Sequence, residues 1–144
     1  MLVFGDGGLW VLDRTRGKLT RVDPSTGRAL PSLAIAGDVQ GMAVGGGNVW
    51  VTDDSGDAVQ RIPEDLGSAP TAISLGQIEG PPSAVAYDEG AIVVGFRSGA
   101  VAKINPSNPS SPTVIWTRQV GNNASSIAVD RDVVWVAGGS LSNL

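Results

Sequence analysis

Residues 41–53 read Gly41-Met42-Ala43-Val44-Gly45-Gly46-Gly47-Asn48-Val49-Trp50-Val51-Thr52-Asp53. Two short apolar runs flank a turn of Gly46, Gly47 and Asn48, the pattern of two strands joined by a tight hairpin. The second run recurs as Leu9-Trp10-Val11-Leu12, Ile92-Val93-Val94-Gly95 and Val134-Trp135-Val136-Ala137. Aligned on Trp10, Trp50, Val93 and Trp135, the spacings are 40, 43 and 42 residues. A second series follows each of the first three anchors: Leu19-Thr20-Arg21-Val22, Val59-Gln60-Arg61-Ile62 and Val101-Ala102-Lys103-Ile104. Its basic residues keep the same period, so the chain is a tandem repeat of about 42 residues.

Each repeat resolves into strands. Inner strands are expected at Leu2–Gly5, Met42–Gly45, Ala84–Tyr87 and Ile127–Asp130, each followed by a turn, the anchor strand, a second polar turn and the strand carrying the base. A fourth strand is expected at Ser32–Ala36, Thr71–Leu75 and Thr113–Thr117. The first two strands of a repeat are apolar without alternation, as strands covered on both faces are. Radially stacked sheets provide that cover. No segment keeps a helical apolar period, and Pro24, Pro63 and Pro106 follow the third strands, where they suit turns. The expected fold is all-β, a β-propeller region of three to four consecutive four-stranded antiparallel blades spanning 1–144. Its approximate repeats are 1–40, 41–82, 83–124 and 125–144, the last incomplete, and Trp10, Trp50 and Trp135 are expected at equivalent buried positions.

Composition narrows the chemistry. The 144 residues include 10 basic and 14 acidic side chains, giving a net charge of −4, which does not favour nucleic acid or an anionic membrane. Hydrophobic residues make up 42% and charged residues 17%, fitting a soluble, core-forming chain. No apolar run is long enough to span a bilayer, and no signal peptide is visible at the N-terminus. There is no cysteine and no histidine, which removes disulfides, thiolate chemistry and imidazole bases or ligands. No P-loop, dinucleotide fingerprint or nucleophile elbow occurs, and no cofactor is expected.

Several clusters have two readings. Asp53-Asp54-Ser55-Gly56-Asp57, with Glu64 twelfth from Asp53, has a calcium-loop flavour, but Ala58 stands where such a loop needs glycine, so a hairpin turn is expected. Arg14, Arg16, Lys18, Arg21 and Arg28 crowd the first repeat and read as a solvated blade edge ahead of an anion site. Trp116 lies outside the anchor series, at the surface or between blades. Asn123-Ala124-Ser125 fits a glycosylation sequon that matters only in a eukaryotic secretory setting. Loops from a fourth strand to the next inner strand open near the propeller axis: Gly37–Gln40, Gly76–Pro82 and Gly121–Ser125. They supply the candidate ligand-facing residues Asp38, Gln40, Gln77, Glu79, Asn122 and Asn123, a neutral-to-acidic hydrogen-bonding rim on a rigid scaffold.

The segment Gly41–Gly45 with Gly47–Asp53, and the segment Leu19-Thr20-Arg21-Val22-Asp23-Pro24-Ser25-Thr26-Gly27, resemble the repeat of the YVTN/lactonase-like bacterial propellers. That superfamily includes streptogramin-lyase-like proteins and propeller domains of actinobacterial receptor kinases and regulators. The resemblance covers nearly the whole chain and implies a propeller. Its lyases use a catalytic histidine and a metal, and this chain has no histidine. Its gluconolactonase-like members use carboxylate and asparagine metal ligands, for which no matching positions are found. The third repeat departs from the pattern in carrying Val93 for tryptophan, and the fourth in ending at Leu144.

The expected function is a non-enzymatic binding or scaffold module recognising a protein, peptide or glycan by its loop face. Two alternatives stand beside it: a fragment of a lactonase- or lyase-like enzyme whose catalytic residues are absent here, and the sensor domain of a receptor kinase. An open stack of blades leaves an apolar face bare at each end. The chain is therefore expected to be part of a longer propeller, or to self-associate head to tail as half of a ring of about eight units. A single closed four-bladed propeller is the outside alternative. The cellular compartment is left open.

Overall fold

The computed structural model describes residues 1–76, 78, 80–131 and 133–139. Three four-stranded antiparallel sheets and one two-stranded sheet follow one another along the chain. Blade one holds β1 (Leu2–Gly5), β2 (Gly8–Asp13), β3 (Lys18–Val22) and β4 (Ala29–Ala34). Blade two holds β5 (Val39–Gly45), β6 (Asn48–Asp53), β7 (Ala58–Pro63) and β8 (Thr71–Ser74). Blade three holds β9 (Pro82–Asp88), β10 (Ala91–Phe96), β11 (Ala100–Asn105) and β12 (Thr113–Gln119), and β13 (Ser126–Asp130) with β14 (Val133–Ala137) begins a fourth. Strand order within each blade is sequential, and there is no helix among the described residues. This is the stacked meander of a β-propeller.

Burial follows the number of neighbours. In blade three, covered on both sides, β10 is buried at every residue and β9 over its first five. In blade one, which has a neighbour on one side, β2 alternates buried and half-buried residues. The sequence of β2 is as apolar as that of β10; what differs is the missing cover. Three clusters fill the gaps between sheets. Trp10, Leu12 and Leu19 meet Met42, Val49, Val51 and Ile62 between blades one and two. Trp50, Val59 and Ile73 meet Val85, Ile92, Val94 and Ile104 between blades two and three. Val93, Val101 and Ala124 meet Ile127, Val129, Val134 and Val136 at the terminal hairpin, with Trp116 half-buried against them.

Glycines admit the next blade. A Cβ on Gly45 would lie 2.1 Å from Tyr87 Cδ1, and one on Gly5 would lie 2.7 Å from Val44 Cβ. The room at Gly45 lets Tyr87 stack on Trp50, with centroids 6.1 Å apart and planes at 17°. Trp50 Nε1 donates to the Gly45 carbonyl at 3.1 Å. The base of the third strand finds different partners in blades one and three. In blade one Arg21 lies over Trp10, 5.4 Å from the ring centroid, in cation–π geometry. In blade three, where the anchor is Val93, Lys103 pairs with Asp88 at 2.5 Å. Asp88 occupies the ladder position filled by Gly5 and Gly45 in the first two blades.

Four expectations need correction. Trp135 holds the repeat position of Trp10 and Trp50, yet it is 64% exposed, because β13–β14 has a neighbouring sheet on one face only. The fourth strand of blade one is Ala29–Ala34, not Ser32–Ala36. A register shift opposite Arg21 admits it, and Pro31 sits without loss on this edge strand. Pro63 ends β7 instead of following it. Val39 and Gln40 belong to β5, and Val39 is buried in the core.

Candidate functional site

Two inner strands are bulged where they begin. In β5 the pairing with β6 slips between Val39 and Met42, and in β9 the pairing with β10 slips between Pro82 and Ala84. A bulge leaves a residue unpaired and re-aims side chains. The Thr52 hydroxyl, fully buried, accepts the freed amides of Gln40 at 3.3 Å and Gly41 at 2.7 Å. Ser83 Oγ lies 2.7 Å from the Ala124 carbonyl and 3.2 Å from that of Gly95, tying blade three to the terminal hairpin.

These bulges open onto a polar depression of about 270 Å³ lined by Gln40, Ser83, Arg97, Asn123 and Ser125. Its wall therefore comes from blades two, three and four. Arg97 leaves the turn after β10, and its guanidinium donates to Asp54 Oδ2 of blade two at 2.6 Å. Gln40 donates to Asp38 Oδ1 and accepts from Arg14, both at 2.9 Å. Ser125 Oγ donates to the Ala137 carbonyl at 3.2 Å. Asn123 Oδ1 is shut off from water and has no hydrogen-bond partner among the described residues. Two amides, two hydroxyls and a guanidinium converge there, a set suited to hydrogen-bonding a polar group with neutral or negative character.

Of the six loop residues proposed from sequence, Gln40 and Asn123 line this depression, and Asp38 buttresses Gln40. Asn122 is exposed and away from it, while Gln77 and Glu79 lie outside the described residues. Sequence reasoning missed Ser83, Arg97 and Ser125. One signal was there: strands reverse direction, so the turn after the second strand reaches the same end of a blade as the start of the first. Asp54 and Arg97, both four residues past an anchor, follow from that.

The acidic run at Asp53–Asp57 is the hairpin turn between β6 and β7. Asp53 Oδ1 accepts from Ser55 Oγ at 2.7 Å and the Gly56 amide at 3.2 Å, an Asx-type turn. The basic cluster of blade one is a solvated edge, with Arg16 paired to Asp13 at 3.2 Å and Arg28 exposed. At the opposite end of the blades, burial and then the neighbouring Asp6 push the Glu64 carboxyl up to about 7. A smaller apolar cavity of about 50 Å³ lies at the rim between β8 and β12 and presents few polar atoms.

Among solved structures, the whole chain superposes on 43% of the Pan2 WD40 domain of Neurospora crassa, with TM-score 0.73 and 16% identity. It matches streptogramin B lyase over 94% of its own length and 46% of that chain, with TM-score 0.72 and 18% identity. A computationally designed protein, Ika4, matches over 94% of this chain and 81% of its own, with TM-score 0.70 and 14% identity. At these identities the likeness shows the fold alone, and the chain spans less than half the length of the two natural propellers. No protein-family model matches the chain, and comparison with curated proteins finds no match.

Proposed function

We propose that this β-propeller module is a non-enzymatic recognition unit that binds a peptide segment or glycan at the polar depression of its axial face. The observation that carries this is the convergence of Gln40, Ser83, Arg97, Asn123 and Ser125 from three successive blades on one depression. Inner strands hold Gln40 and Ser83, and partner contacts already fix Gln40, Ser83 and Arg97, so little freedom of these side chains is lost on binding. The family kinship we infer is with YVTN-type bacterial propellers. The lyase reading asks for a histidine that the sequence lacks, and the chain by itself is proposed to carry no hydrolase, lyase or redox activity.

The test is binding to immobilised peptide and glycan panels, with Arg97→Ala and Asn123→Ala as paired variants. Ligands captured by the wild type should be lost or weakened at least tenfold in both. Ligands retained equally by both variants, or turnover of a lactone substrate by the wild type, would refute the reading.

A further inference from the structure

The third strand of each full blade carries one base directly opposite the anchor residue: Arg21 opposite Trp10, Arg61 opposite Trp50 and Lys103 opposite Val93. Directly opposed residues share a face of the sheet, so each base starts beside its anchor. Arg21 lies over the Trp10 ring and donates to the Asp6 carbonyl at 3.4 Å. Lys103 is paired with Asp88. Arg61 has neither outlet. Tyr87 of blade three is stacked on the Trp50 ring, and among the described residues Arg61 makes no hydrogen bond, ion pair or ring contact. Yet Arg61 is half-buried. A guanidinium stays charged, and one partly withdrawn from water without a counter-charge lacks acceptors for its five donors.

Arg61 lines a pocket of about 180 Å³ between blades two and three, whose walls include Trp50, Tyr87, Asn105, Pro106 and Ser107. The pocket lies at the other end of the blades from the axial depression. Ser83 stands at the start of β9, and Tyr87 and Gly90 stand at its end and in the turn beyond. Both blades that build it have all four strands. No carboxylate lines it, and several of its polar groups offer hydrogens. The Tyr87 hydroxyl accepts from the Gly90 amide at 2.9 Å, so its own hydrogen is left to give. Asn105 Oδ1 accepts from the Ser107 amide at 3.0 Å, which leaves Asn105 Nδ2 as a donor. Arg61 is the one base among the lining residues, so the site matches a single negative charge. A planar carboxylate meets a guanidinium through two parallel hydrogen bonds, and the aromatic and proline walls suit the carbon that bears it.

We propose that this pocket binds a carboxylate through Arg61 and the Tyr87 hydroxyl, as an anion site separate from the axial depression. An acidic peptide side chain and a peptide C-terminus share this chemistry.

Proton–nitrogen correlation NMR on the chain tests it, following the Arg61 Nε and Trp50 Nε1 signals. The probes are sodium acetate and inorganic phosphate at matched ionic strength, an amidated peptide with one internal glutamate, and an uncharged peptide with a free C-terminus. Acetate should shift both signals saturably, and phosphate should bind no more tightly. The tighter of the two peptides identifies the source of the carboxylate. Arg61→Gln should abolish the Trp50 response, and Arg61→Lys, which keeps the charge without the fork, should weaken it by roughly tenfold or more. Asn105→Asp keeps the acceptor of the turn and sets a carboxylate in the pocket; it should block acetate, and it carries the test should Arg61→Gln fail to fold. Acetate shifts spread equally over every arginine overturn the proposal. So does a Trp50 response that survives Arg61→Gln or Asn105→Asp, or tighter binding of phosphate than of acetate. None of these substitutions touches a residue of the axial depression, so the result stands apart from ligand capture there.

Discussion

Replacing Gly45 with alanine should be among the most damaging one-carbon changes available to this chain. The backbone there is ordinary, so an alanine suffers no conformational strain; what it meets is the next blade. Its Cβ would stand 2.1 Å from Tyr87 Cδ1 and 2.5 Å from Cγ, against the ~3.5–4 Å of an ordinary carbon contact. The ring has no free retreat. Its face is stacked on Trp50, its hydroxyl accepts the Gly90 amide at 2.9 Å, and Trp50 in turn donates to the Gly45 carbonyl. Overpacking of this kind costs roughly 1–3 kcal/mol. A displaced stack forfeits about 0.5–1.5 kcal/mol more. Together these give a loss of about 1.5–4.5 kcal/mol, a large share of the ~5–15 kcal/mol that holds a domain folded. Urea unfolding followed by tryptophan fluorescence reads it directly. Gly121→Ala is the control, since no atom lies within 4 Å of its added carbon. The reasoning also demands coupling: in a Tyr87→Ala background the cost of Gly45→Ala should shrink by about 1–3 kcal/mol. A Gly45→Ala protein as stable as wild type, or strictly additive effects of the two changes, would refute it.

Thr52→Val keeps the shape of a fully buried side chain but strands the Gln40 and Gly41 amides, so it should cost about 1–3 kcal/mol in urea unfolding, with Thr52→Ser recovering most of it. Ser83→Ala removes the hydroxyl link from blade three to the terminal hairpin and should lower stability by about 1 kcal/mol, read as a shift in the urea midpoint. Glu64 has a folded pKa raised from 4.5 to about 7, so the fold favours its protonated form. Its stabilising share is therefore full below about pH 4.5 and lost as pH rises to about 7; melting temperatures should fall across that window, and Glu64→Gln should flatten the fall.

The repeat and its strands were legible because the anchor and base series share one period, and because Gly46-Gly47-Asn48 and Asp88-Glu89-Gly90 are turn signals with a mechanism. Periodicity assigns a residue its place in the ladder, though, and says nothing about what stands opposite. Trp135 was placed correctly and its burial misjudged for that reason. The bulges of β5 and β9 leave no mark in composition, so Val39 and Gln40 looked like loop and Ser83 went unnoticed. The loop-to-inner-strand topology brings Gln40 and Asn123 to the depression, and the turn after the second strand, at the same end of the blade, brings Arg97 there.

Among the described residues, the main sheet-to-sheet contacts join each blade to the one before and the one after. Cohesion is therefore shared between nearest neighbours, as in a row of stacked plates, and no residue of blade one answers for the integrity of the terminal hairpin. In a single copy of the chain, unfolding should begin where a plate has one neighbour. The β13–β14 hairpin, with two strands and one covered face, is the place to start, and blades two and three are the last to open. A protease offered the native chain should clip it from the tail inward, leaving a ladder of fragments stepped at about one repeat. The same arrangement gives the architecture its latitude in length, since a unit added or removed disturbs two interfaces and leaves every other as it was.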